Sequence, residues 1–191
     1  MLKRILIAIS LLGTPAMMLT QARPTADRAG DLQVGGGISN ANTDYVPNRV
    51  SGPAVYFDFD FYRHFGVEGE FHFLKDSDTN IYEKTYEIGG RYSRVYRNRY
   101  QPYVKILYGR GVFNFANHGV TTANLAYNMF AGGVGLDYRL LPYLNVRADF
   151  EYQSWLGFKD PFFPNSSGGL TPSIITIGAA YRFPAGKLSQ H

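Results

Sequence analysis

Between Tyr143 and Gln153 the chain alternates between two kinds of side chain at every step. Leu144, Val146, Ala148, Phe150 and Tyr152 share one face of an extended segment, and Asn145, Arg147, Asp149, Glu151 and Gln153 share the other. Successive strand residues point to opposite faces, so period two with both faces specified marks a strand that is apolar on one side and strongly polar on the other. The pattern recurs. Residues 54–62 set Val55, Phe57, Phe59 and Phe61 against Tyr56, Asp58, Asp60 and Tyr62. Residues 67–73 set Val67, Gly69, Phe71 and Phe73 against Glu68, Glu70 and His72, and residues 82–92 set Tyr82, Tyr86, Ile88 and Tyr92 against Glu83, Thr85, Glu87 and Arg91.

Four further segments carry the pattern in a weaker form. Leu32 to Ser39 is glycine-rich around Gly35-Gly36-Gly37. Pro102 to Val112 groups Val104, Ile106 and Tyr108 opposite Lys105; Ala126 to Tyr138 groups Phe130, Val134, Leu136 and Tyr138 opposite Asp137. Ser173 to Phe183 groups Ile175, Ile177, Ala179, Tyr181 and Phe183 opposite Thr176, Gly178 and Arg182. Glycine weakens a strand locally, but in a narrow barrel it also makes room for large side chains from opposite strands. The connectors alternate in length. Arg63–Gly66, Arg94–Arg99 and Arg139–Tyr143 are short, whereas Asn40–Pro53, Phe113–Asn124 and Trp155–Thr171 are longer and rich in Gly, Asn, Ser and Pro. Lys75–Asn80 is short where a long loop is expected. An even strand count with short turns at one end and longer loops at the other is the pattern of bacterial outer-membrane barrels, with both termini in the periplasm. The fold expected is all-β: an eight-stranded antiparallel up-and-down transmembrane β-barrel.

Composition narrows the class. The chain has 191 residues, with 15 Tyr, 14 Phe, 21 Gly and no Cys. A disulfide scaffold, a thiolate metal site and a cysteine nucleophile are excluded. Outside the N-terminus no apolar run approaches the ~20 residues of a membrane helix. The N-terminus itself reads as an address. Met1-Leu2-Lys3-Arg4 is a basic start, Ile5 to Leu12 an apolar stretch too short to span a bilayer, and Thr20-Gln21-Ala22 offers small residues for a peptidase. Residues 1–22 are therefore expected to be a cleaved signal peptide, 23–30 a periplasmic segment, 31–183 the barrel and 184–191 a short tail. Without Lys3 and Arg4, basic and acidic side chains nearly balance. Because the bases alternate with carboxylates along the strands, the pI near 9.2 gives no nucleic-acid footprint.

A soluble calycin-type barrel has the same strand spacing but the opposite lining. Three features favour the membrane. Aromatic residues gather at the strand ends: Phe61, Phe65, Tyr92, Tyr96, Tyr100, Tyr143 and Phe183 at one rim, and Phe73, Tyr82, Phe113, Tyr152 and Trp155 at the other. Such girdles suit the headgroup boundary. The signal sends the chain where outer-membrane assembly occurs. The third feature is the last strand, Thr176-Ile177-Gly178-Ala179-Ala180-Tyr181-Arg182-Phe183, which is similar to the terminal-strand signal of outer-membrane barrels; Ala131 to Tyr138 also looks like the sixth strand of this group. Over about residues 31–183 the chain resembles the outer membrane protein β-barrel domain family, the small OmpA- and OmpX-like barrels. The resemblance implies an integral protein of the bacterial outer membrane, exported through the general secretory route. It implies handling by periplasmic chaperones and the barrel-assembly machinery, with Thr176, Gly178, Tyr181 and Phe183 as the assembly signal. No peptidoglycan-binding domain of the kind some members carry is expected, so the resemblance does not imply cell-wall tethering.

An eight-stranded barrel is just wide enough for side chains to fill it. Parity sends Asp58, Asp60, Glu68, Glu70, Glu83, Glu87, Asp137, Asp149 and Glu151 inward, along with Arg91, Lys105, Arg139, Arg147 and Arg182. Paired charges there make a plugged polar lumen. The excess of acids leaves a narrow small-solute or ion pore as the alternative reading. Arg63, Arg94, Arg97, Arg99, Arg139 and Arg182 gather near the periplasmic rim, where they are either solvated turn residues or contacts for lipid phosphates. Paired carboxylates also occur in glycoside hydrolases, but lumen polarity accounts for them here. His64 is expected in a turn, His72 in the lumen, His118 in a loop and His191 in the tail. None falls in the His-x-Ser arrangement of lipid A-deacylating barrels, so an enzyme is the least favoured class. No metal and no cofactor are expected. The partners are outer-membrane lipids, with the outer loops open to an unidentified extracellular ligand.

Overall fold

A computed structural model of the protein describes residues 30–43, 49–76, 81–117, 120–157 and 169–183. The expected signal peptide, the segment after it up to residue 29, the tail, His118 and His191 lie outside the described residues. Eight strands follow one another: β1 (Asp31–Asn42), β2 (Val50–Tyr62), β3 (Phe65–Lys75), β4 (Tyr82–Ser93), β5 (Tyr100–Asn117), β6 (Val120–Leu141), β7 (Leu144–Trp155) and β8 (Ser173–Phe183). Each pairs antiparallel with its neighbours in sequence, and β1 pairs with β8 to close the sheet. Closure leaves no edge strand and satisfies the backbone between strands, as hydrocarbon requires of a spanning sheet.

The lining is inverted relative to a soluble barrel. Ile106 is 73% exposed on the outer wall, while Arg147 is 0% exposed inside. The same contrast holds for Ile38, Val55, Ile88, Val134 and Ile177 outside against Asp58, Glu68, Arg91, Lys105 and Glu151 inside. A sheet with this inversion is stable only where the outer wall meets lipid.

The short connections lie at the end that carries the first and last strand termini. In the β4–β5 turn Arg97 and Asn98 have φ of 49° and 55°. Two consecutive left-handed residues give the sense of twist that suits paired strands. Tyr96 and Tyr100 exchange backbone hydrogen bonds of 2.7 and 3.0 Å around them. The ladder shifts register between Asp60 and Tyr62 and between Arg139 and Leu141, both at this end.

Two sequence expectations are corrected. Phe113–Asn124 reads as a loop because it is rich in Asn. In the structure β5 runs to Asn117 and β6 starts at Val120, and they stay paired to Asn117↔Val120. Phe113, Phe115, Val120, Thr121 and Thr122 favour strands, and an established register extends one pair at a time. At 18 and 22 residues these strands exceed the ~9–11 that cross a bilayer. β4 leaves β5 at Asn114 and β7 leaves β6 at Met129, so the hairpin projects by roughly 20 Å at ~3.3 Å per residue. The second correction concerns Phe113 and Trp155. Neither stands in the outer girdle. Both share the inward parity of Lys105 and Arg147 and are buried, at 4% and 1% exposure. Phe73, Tyr82 and Tyr152 stand on the wall as expected, joined by Phe71, Tyr86, Tyr108 and Phe130; Phe73–Tyr82, Phe71–Tyr86 and Tyr108–Phe130 have ring centroids 5.7, 4.9 and 5.0 Å apart.

Candidate functional site

The interior is built in layers. At the short-turn end Asn145 Nδ2 donates to Gln33 Oε1 at 2.7 Å. Gln101 Nε2 donates to Asp60 Oδ2 at 3.1 Å and to Ser93 Oγ at 3.0 Å. Arg182 pairs with Asp31 across the β1–β8 seam. These groups are polar but mostly short, and they leave the stronger charges to the layer above.

That middle layer is a compact ion network. Arg147, on β7, reaches across the lumen to Asp58 on β2 at 2.5 Å, to Glu68 on β3 at 3.3 Å, and sideways to Asp137 on β6 at 2.7 Å. Arg91, on β4, meets Asp58 at 2.7 Å, Asp137 at 2.5 Å and Glu68 at 3.4 Å. Lys105 Nζ lies 2.5 Å from Glu70, 2.9 Å from Asp149 and 3.0 Å from Glu151. The guanidiniums also stack on phenol rings. Arg147 Cζ is 4.0 Å from the Tyr56 centroid, and Arg91 Cζ is 4.0 Å from that of Tyr103, whose hydroxyl donates to Asp149 at 2.6 Å. Charges withdrawn from water need several partners each, and a narrow barrel supplies them from strands that are far apart in sequence.

Glycine makes this filling possible, though for neighbouring strands more than for opposite ones. A Cβ at Gly135 would lie 2.3 Å from the Tyr103 ring, and one at Gly133 would lie 2.5 Å from Lys105 Cε. Each of these glycines is the direct cross-strand partner of the side chain it accommodates.

Above the ions, Gln153 Nε2 bridges Glu87 and Glu151 at 2.9 and 2.8 Å, and Trp155 Nε1 donates to Gln153 Oε1 at 3.0 Å. Glu83 is buried beside Thr85 on the same face of β4. Apolar side chains pack around these groups at the loop end of the interior. Ile81, Leu107, Phe113, Met129, Ala131, Trp155 and Leu170 form one cluster, and Ala41, Val50, Leu74 and Ile174 another.

One arrangement inside has no counterpart in the sequence motifs. Ser39 Oγ is 3.0 Å from His72 Nδ1 and 2.7 Å from Thr176 Oγ1, and His72 Nε2 is 3.5 Å from Glu70 Oε2. The residues come from β1, β3 and β8, so no local pattern announces them. A serine nucleophile also needs an approaching carbonyl and donors aimed at its developing oxyanion. Ser39 is 0% exposed, and its backbone is committed to ladders with β2 and β8. Glu70, His72 and Glu151 also lie close enough to hold a metal. The Lys105 ammonium contacts both carboxylates and supplies the cation there.

His64 sits in the β2–β3 turn, with Nδ1 3.1 Å from the Ser93 carbonyl oxygen. Of the terminal-strand residues, Thr176 and Gly178 face the lumen. Tyr181 faces out, its ring 4.9 Å from that of Phe183 and 6.0 Å from that of Tyr143. The outer wall holds two cations that a pattern search passes over, Lys84 among the outward tyrosines of β4 and Arg110 at the end of the outward face of β5.

An inverted, closed, side-chain-filled barrel defines the class of integral outer-membrane proteins. The chain matches the model of the outer membrane protein beta-barrel domain over residues 6–183, and it belongs to that family. Its place is thus the bacterial outer membrane. Among solved structures it is similar to Neisserial surface protein A (NspA), at 11% identity and a TM-score of 0.63 over 81% of this chain and 97% of that one. It is similar to Ail, the attachment invasion locus protein of Yersinia pestis, solved with the heparin analogue sucrose octasulfate (20% identity, TM-score 0.55, 81% and 99% covered). It is also similar to OprG from Pseudomonas aeruginosa (16% identity, TM-score 0.56, 82% and 97% covered). At these identities the likeness is one of fold. A sequence comparison with curated proteins finds no match.

Proposed function

We propose that the protein is a non-enzymatic outer-membrane barrel whose lumen is plugged and whose loop end, with the long β5–β6 hairpin, contacts partners outside the cell. The supporting observation is the filled interior. Arg91, Lys105 and Arg147 each bind several carboxylates, and two apolar clusters pack the loop end above them. The chain reaches the membrane by the general secretory route, and chaperones and the assembly machinery read Thr176, Gly178, Tyr181 and Phe183. A surface role also agrees with the name of Ail, whose fold it shares.

Planar-bilayer recording tests the plug. The expected result is no steady ohmic current from the purified protein. A stable single-channel current overturns the plug and favours a narrow cation path, for which the excess of buried acids over Arg91, Lys105 and Arg147 is the supporting feature. Mass spectrometry of lipid A from expressing cells tests the absence of catalysis. An altered acylation pattern that depends on Ser39 and His72 overturns it.

A further inference from the structure

The outer wall is not uniformly neutral. Among the described strand residues, the outward-facing cations are Lys75 on β3, Lys84 on β4 and Arg110 on β5, and no carboxylate faces outward from any strand. The three lie on consecutive strands. Lys75 opposes Tyr82 and Lys84 opposes Phe73, so these two lysines are diagonal neighbours; Lys84 opposes Val112, which puts Arg110 on the next diagonal. Diagonal neighbours in a sheet stand about 7–8 Å apart. None of the three forms an ion pair with a described residue.

Their height is fixed by the opposite girdle. Phe65 to Lys75, Tyr92 to Lys84 and Tyr100 to Arg110 each run about eight to ten residues up a strand. At ~3.3 Å per residue and a tilt near 40° that is roughly 20–25 Å, the height of the apolar band of an outer-membrane barrel. The row therefore sits at the outer-leaflet headgroup boundary and follows the contour of the inner girdle. The Lys84 ammonium lies 5.4 Å from the Phe73 centroid and 4.9 Å from that of Tyr82, its stem laid along the aromatic wall. Just below, a groove of about 560 Å³ opens toward the lipid. Phe57, Phe71, Tyr86, Ile88 and Tyr108 are among the residues that line it, and Arg110 is another.

We infer that this sector of the wall is a binding site for a phosphorylated glycolipid of the outer leaflet. Lys75, Lys84 and Arg110 hold the headgroup phosphate, and an acyl chain lies in the groove. The chemistry follows from charge complementarity: three cations with no ion-pair partner among the described residues, no carboxylate on the outward face of the described strands, and an apolar groove that includes Arg110 in its lining. Phosphate accepts hydrogen bonds from ammonium and guanidinium alike. The site is on the outside of the barrel, so it stands or falls independently of the lumen plug.

The test is retention of lipid A by the full-length protein in phosphatidylcholine nanodiscs, measured by native mass spectrometry. Each basic residue near an anionic surface contributes a factor of about five in affinity, so the variant Lys75→Gln/Lys84→Gln/Arg110→Gln is expected to bind bis-phosphorylated lipid A roughly a hundredfold more weakly. Dephosphorylated lipid A is expected to bind the unaltered protein as weakly as that variant binds the phosphorylated form. Equal binding of the two lipid A forms overturns the inference, as does unchanged affinity in the triple variant. Displacement of lipid A by an equal concentration of inorganic phosphate also overturns it, since the site would then recognise free phosphate. Should the triple variant fail to fold, the comparison of the two lipid A forms on the unaltered protein still decides.

Discussion

Removing the guanidinium of Arg147 tests the charge network at a residue that ties β7 to carboxylates on β2, β3 and β6. In Arg147→Met the stem is roughly kept, but Asp58, Glu68 and Asp137 each lose a partner at 2.5, 3.3 and 2.7 Å. Deleting one partner of a buried ion pair costs about 3–5 kcal/mol, because the other charge stays buried. Two features set where in that range the loss falls. Arg91 still holds Asp58 and Asp137, and Lys105 still lies 3.5 Å from Glu68, so no carboxylate is left wholly alone. Against this, the stacking of Arg147 on Tyr56 and Tyr103 disappears, worth about 0.5–2 kcal/mol. The expected loss is about 4 kcal/mol. The assay is urea-driven unfolding from lipid vesicles, followed through the chain's one tryptophan. Trp155 lies inside the barrel and changes environment when it opens. Adding Asp137→Asn should recover about half the loss by removing one uncompensated charge. A loss under about 1 kcal/mol, or a double variant less stable than the single one, would show that the network does not hold the lumen together.

Three other substitutions probe the remaining parts. Ala148→Arg, on the wall beside Arg147, should cost about 2–4 kcal/mol in the same vesicle titration, while Ala148→Leu should stay within about 0.5 kcal/mol, since lipid tails accommodate added methylenes. Phe183→Ala should lower the membrane-inserted fraction in cells while refolding in detergent stays nearly normal; unimpaired insertion in cells would sink the assembly role. Gly135→Val drives a side chain into the Tyr103 ring and should destabilise by about 1–3 kcal/mol through overpacking, measurable as a lower urea midpoint.

The architecture was legible because alternation encodes both faces at once. Val146, Ala148 and Phe150 between Arg147, Asp149 and Glu151 mark a two-faced strand, and the girdle aromatics with the terminal-strand motif turn its apolar face to lipid. Where the code failed, two signals competed. In Phe113–Asn124 the asparagines argued for a loop, and strand-favouring Phe, Val and Thr residues, extending a register already set below, prevailed. At Trp155 the strand-end position points to the girdle and the parity points to the lumen. Parity was the better guide, because the loop end of the lumen needs large apolar side chains to fill it as much as the membrane boundary does.

Parity says which face a side chain occupies and nothing about its height, and contacts across a barrel depend on height. Strand tilt carries neighbouring strands past one another, so the partner of a lumen residue is set by register and shear together. That is why Asp58 and Arg147 could each be placed inside from sequence, while their 2.5 Å contact, across strands β2 and β7, could not. The same limit hid the approach of Ser39, His72 and Thr176, each unremarkable in its own strand. Lys84 and Arg110 are hard to read from sequence for a different reason. They break the apolar face on which they stand, and a search for alternation treats such breaks as noise. On a wall that meets lipid, a break in the pattern has a physical meaning that depends on depth. Near the midplane a cation costs several kcal/mol, while at the boundary the cost falls to about 0–1 kcal/mol. Counting residues from the inner girdle separates the two cases. By that count both cations stand where the membrane supplies phosphate, so the residues that spoil the pattern are the ones to mutate first.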